Sequence, residues 1–122
     1  MPDLPPPSLG AEVVRFDVGA AAALAHALDL LADGLSTAGR VDAEAFHHAQ
    51  QDWEGRSRRW AVIRRDGLRG DLHRDAGACR AAADQARGSA SVAALRQVQA
   101  NDRARLVALR AQAQAALHAG QR

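Results

Sequence analysis

Five histidines, one cysteine and a run of arginines are the residues of this 122-residue chain whose types could do chemistry. A metal site would need His, Cys or carboxylate side chains gathered at ligand spacing on one face. His47 and His48 are adjacent, which on a helix turns them about 100° apart. Neither they nor His26 and His73 form a pair with a convincing i, i+4 partner and a further carboxylate or thiol nearby. Cys79 sits in "DAGACRAAAD", on an apolar stripe where a thiol serves as a small hydrophobe rather than a nucleophile. No Ser/His/Asp order, glycine-rich phosphate loop or spaced carboxylate pair stands out. The residues therefore predict a binding protein, not an enzyme, with no metal and no cofactor.

The arginines carry the other chemical option. "RSRRWAVIRRDGLRGDLHR", residues 56–74, packs seven Arg around Trp60, and clustered Arg is the main requirement for binding a phosphate backbone. The distribution of charge argues against that use. Residues 1–54 hold nine acids and only Arg15 and Arg40, a net −7, whereas residues 55–122 hold fourteen Arg and five acids, a net +9. The halves are electrostatic complements, and folded together they would leave the modest surplus of +2. The Arg are also spread around the helix with little aromatic interleaving. A cytosolic, Arg-rich, nucleic-acid-associated helical protein is thus the alternative reading rather than the first one.

Which elements would position these residues? Thirty alanines, 3 % aromatic residues and no Tyr leave little to build strands with and predict an all-α chain. At this length it is one domain at most. Residues 1–10, "MPDLPPPSLG", read as a flexible Pro-rich leader, and no Pro follows. They lack the basic and apolar regions of a cleaved signal peptide, and no apolar run is expected to reach the roughly 18 residues that span a bilayer. The single Cys79 excludes a disulfide framework and leaves the compartment open. A cytoplasmic protein, or one secreted without a cleaved signal, is expected.

A first helical arm is expected from an N-cap at Asp17, with Leu24, Leu28, Leu31 and Leu35 at heptad spacing. "STAGR" at 36–40 predicts a kink, with Asp42 as a second cap before Phe46, Ala49 and Trp53. Gly55 is expected to close the arm in the left-handed conformation and Ser57 to cap the return helix. The return stripe runs through Trp60, Ile63, Leu68, Leu72, Cys79, Ala83 and Ala86. "GSAS" at 88–91 predicts a further break. Val92, Leu95, Val98, Leu106, Leu109, Ala113 and Leu117 then mark a separate C-terminal helix. The organisation expected is leader 1–10, helical hairpin 11–87, and a C-terminal helix 88–122 packing on the hairpin or on a partner.

At the turn, Trp53 would close the end of the hairpin as a flat plug and Gly55 would let the backbone reverse. This W-x-G tripeptide, Trp53-Glu54-Gly55, lies midway between two amphipathic Ala-rich arms. Over about residues 12–87 the chain resembles the WXG-motif family of early secreted antigen-like proteins handled by type VII secretion systems. The resemblance implies an antiparallel hairpin that pairs with a second small hairpin, as homodimer or heterodimer, into a four-helix bundle. Trp53 and Gly55 would then be the turn motif. Leu24, Leu28, Leu31, Leu35, Phe46, Trp60, Ile63, Leu68 and Leu72 would line the partner-binding seam. Two departures stand out. The family's Tyr-based export signal is impossible without a Tyr, and residues 88–122 exceed the usual hairpin.

Overall fold

Two helices hold nearly all the residues described by the computed structural model, which are 3–51, 53 and 55–121. Helix α1 spans Val18–Gln50 and helix α2 spans Arg56–Gly120. No strand occurs among the described residues. The described residues are all-helical in class, as the composition predicts, and among them are two long helices with no separate third one.

Helix α1 starts where a cap exists. The Ala20 amide donates to Asp17 Oδ1 at 2.8 Å, so Asp17 is the expected N-cap. The predicted kink at 36–40 is absent, and α1 runs through it. Tertiary contacts outweigh the weak local propensity there. Ser36 Oγ accepts from Arg80 Nη2 at 3.2 Å and Leu72 lies beside Gly39. The break predicted at "GSAS" is absent too. Ala90 is fully buried, and α2, 65 residues in all, runs through this stretch to Gly120 with Ser91 Oγ bonded to the Arg87 carbonyl at 3.2 Å.

Contacts divide the chain into two compact units. One is Ala23–Ala86. The other joins the residues up to Ala22 with those from Arg87 onward. In the first unit the helices run antiparallel: Phe46 and Asp42 meet Arg65, Gly39 meets Leu72, and Ser36 and Asp33 meet Arg80. Its buried positions are all alanine, Ala25 and Ala32 on α1, Ala76 and Ala83 on α2. In the second unit the buried positions are Ala90, Ala93, Gln97 and Ala100. Positions 76, 83, 90 and 97 keep a seven-residue step, the spacing that holds one face of a helix toward a neighbour. The leader does not stand free of the helices. Residues 6–14 are hydrogen-bonded to Gln97 and Asn101.

By length and composition α1 could cross a membrane, contrary to the expectation that no stretch reaches that size. Asp29 and Asp33 interrupt it, and ionised residues within hydrocarbon are costly. Asp33 lies 3.7 Å from Arg80. Length and composition are weak evidence for a span, and α1 packs against α2 within the Ala23–Ala86 unit.

Candidate functional site

Two features of the Ala23–Ala86 unit could act on another molecule: the turn, with the cleft beside it, and the apolar flanks of the alanine rows. The turn begins as α1 frays into tighter bonds, Gln51 N–H to the His48 carbonyl at 3.4 Å and Trp53 N–H to the Gln50 carbonyl at 3.1 Å. Gly55 follows with φ of +90°, the left-handed conformation expected of it. Its carbonyl accepts the Arg59 amide at 3.3 Å, so Gly55 starts the ladder of α2. It is the N-cap of the second helix rather than the residue closing the first, and Ser57 falls inside the first turn of α2. Glu54, the middle of the expected tripeptide, lies outside the described residues.

Trp53 is a half-open plug. It is 40 % exposed and lines an open cleft of about 800 Å³ with Phe46, Trp60 and Leu68. Arginines frame the same cleft. Arg64 lies over the Trp60 ring at 5.0 Å, and Arg65 over the Phe46 ring at 4.7 Å, both within cation–π range. Arg65 is 14 % exposed, donates through Nε to Asp42 at 3.1 Å, and keeps a buried Nη2 with no hydrogen-bond partner among the described residues.

The leucine seam expected from the sequence divides in two. Leu28, Leu35, Phe46 and Leu72 are half-buried. Leu24, Leu31, Trp60, Ile63 and Leu68 are exposed, Ile63 by 69 %. What fills the contact between the helices is the row of small residues next to those leucines in sequence. Leu24 adjoins Ala25 and Leu31 adjoins Ala32, and one residue is about 100° of helix. Methyl side chains allow close approach of two helices, which leaves the longer side chains on the rim. The seven-residue step of alanines is present in the sequence, but the larger leucines dominate its hydrophobic pattern.

The opposite charges of the two halves are partly spent on each other, through Asp42–Arg65 at 3.1 Å and Asp33–Arg80 at 3.7 Å. Arg74 is paired with Asp71 one turn away on α2. Among the described residues no three His, Cys, Asp or Glu side chains gather to hold a metal ion. His47 and His48 face each other edge-on at 6.2 Å, and Cys79 is half-buried as a free thiol.

Compared with family models, curated proteins and solved structures, the chain matches none of them.

Proposed function

We propose that the chain is a pairing protein, a two-helix module resembling the WXG-motif substrates of type VII secretion or their dimerisation partners. It would act by docking side by side on a second small helical hairpin, as homodimer or heterodimer, and so present the pair to the secretion machinery. The observation that carries this reading is the mismatch between what the Ala23–Ala86 unit buries and what it exposes. Its fully buried side chains are four methyl groups, while Leu24, Leu31, Trp60, Ile63 and Leu68 stay in solvent. At about 25 cal/mol per Å² of apolar surface, four methyls and the half-buried Leu28, Leu35, Phe46 and Leu72 are a small core to set against the entropy of ordering some 60 residues. A partner that covers the leucine rim supplies the missing burial. The left-handed Gly55 after Trp53, at the reversal between antiparallel helices, supports the family likeness.

The test is the mass of the chain in solution, by light scattering on a sizing column, alone and co-expressed with the product of the neighbouring reading frame. A dimer, or a stable 1:1 complex with another small helical protein, supports the proposal. A folded monomer that ignores its neighbour removes it. Nucleic-acid binding, the alternative, would instead appear as a complex with any duplex that weakens steeply with salt.

A further inference from the structure

Gln97 is the one polar side chain among the buried ones of the described residues. A buried carboxamide must place two N–H donors and an oxygen acceptor. Gln97 places all three. Its Oε1 accepts the Val14 amide at 2.8 Å, and its Nε2 donates to the Glu12 carbonyl at 3.0 Å and to Asn101 Oδ1 at 3.1 Å. One helical turn later Asn101 repeats the pattern, with Oδ1 accepting the Ser8 amide at 2.9 Å and Nδ2 donating to the Pro6 carbonyl at 3.0 Å. Each carboxamide thus takes the C=O of one residue and the N–H of the residue two further on. That is the pair of groups an extended strand offers along one side.

A turn brings the two pairs together. The Ala11 amide bonds to the Ser8 carbonyl at 3.0 Å and Gly10 has φ of +80°, the arrangement of a type II turn with Gly in its third position. Fully extended, residues 6–8 and 12–14 would lie about 20 Å apart. Side chains four residues apart on a helix are separated by only about 6 Å. The turn removes the excess length. Leader side chains add less to this grip: Leu9 is fully exposed and Val13 is 57 % exposed, while Ser8 Oγ donates to Asn101 Oδ1 at 3.4 Å and Leu4, Ala11 and Val14 are half-buried. Among the described residues, four of the five hydrogen bonds between Gln97 or Asn101 and the leader go to its main chain.

We propose that Gln97 and Asn101 form a binding site for an extended peptide with a glycine turn, and that residues 6–14 occupy it as a built-in competitor. The ligand in trans is a segment of the same kind, offering two C=O/N–H pairs on either side of such a turn. The tethered leader is always at high local concentration and keeps the site closed to free peptide. Loosening the leader opens it. This inference rests on neither the pairing surface nor the family likeness.

The experiment measures fluorescence anisotropy of a labelled synthetic peptide of residues 3–17 added to the full chain and to two full-chain variants with a weakened strap. Gly10→Val places a β-branched residue at positive φ with nothing within 4 Å, so it acts through the backbone alone. Val14→Pro deletes the amide that Gln97 accepts. Both leave Gln97 and Asn101 in place. The expected result is binding at least tenfold tighter to the variants than to the unaltered chain, and loss of that gain when Gln97→Leu is added. Amide hydrogen exchange at Ser8 and Val14 should be slow in the unaltered chain and fast at Ser8 in both variants. Failure of both variants to gain peptide binding overturns the proposal, and so does a gain that survives Gln97→Leu.

Discussion

Arg65 on α2 donates its Nε to Asp42 on α1 at 3.1 Å while its guanidinium carbon lies 4.7 Å from the centre of the Phe46 ring. One side chain thereby ties the charge complementarity of the two halves to the apolar contact near the turn. Its buried Nη2, without a hydrogen-bond partner among the described residues, makes the arrangement asymmetric. Removing Asp42 leaves a mostly buried cation unpaired, and Asp42→Ala should destabilise by about 1–2 kcal/mol. Arg65→Met keeps the packing of the stem and removes the orphaned donor, so it should cost less than Asp42→Ala. Urea denaturation of the two variants gives the order directly, and the reverse order would contradict this account of the pair.

Two glycines make a matched test of the backbone. Gly55 has φ of +90° with open space around it, so Gly55→Ala should cost about 1–2 kcal/mol through conformation alone. Gly67 lies inside α2, also with nothing within 4 Å. There the same substitution should stabilise by about 0.5–1 kcal/mol. Opposite shifts in melting temperature are the expected result.

Trp53→Ala would cost about 3–5 kcal/mol if the ring were fully buried. With the ring 40 % exposed at the edge of an open cleft, the loss should be smaller, about 1–2 kcal/mol. A full-sized loss in a thermal melt would mean that the ring is covered in solution, as it would be by a partner.

The alanine row and the exposed rim should respond differently. Ala83→Leu forces extra volume between close helices and should destabilise by about 1–3 kcal/mol. Ile63→Arg places a charge on an already solvated position, so it brings no strain into the chain itself. If the proposed pairing uses this rim, the same variant should shift the light-scattering mass to that of the single chain.

Every described residue from Arg105 to Gln121 is exposed, including Leu106, Val107, Leu109 and Leu117. Ending the chain after Ala104 should therefore leave the melting temperature of the remainder within about 1 °C of the original, since no buried contact is lost. A marked fall would place these residues in an interface.

Much of the framework was legible beforehand. Asp17 as a cap, Gly55 in the left-handed conformation, and helix throughout follow from local chemistry, because each depends on neighbours within four residues. The predicted breaks at 36–40 and 88–91 were not found, because propensity penalties of about 1 kcal/mol yield to packing and side-chain bonds from elsewhere. The hydrogen bonds of residues 6–14 escape local patterns for a related reason. Their partners, Gln97 and Asn101, lie more than 80 residues away, and no local pattern announces that two carboxamides will hold an extended segment.

The sequence by itself determined the type of structure, the place of the reversal and the opposition of charge, since helix propensity, a glycine and a count of ionisable groups are properties of the chain alone. Only the tertiary structure decided which stripe faces inward. Leu24 and Ala25, like Leu31 and Ala32, lie on adjacent faces that helical periodicity cannot rank. Close approach of the two helices selects the smaller side chain, because a methyl admits the opposing backbone and a leucine holds it away.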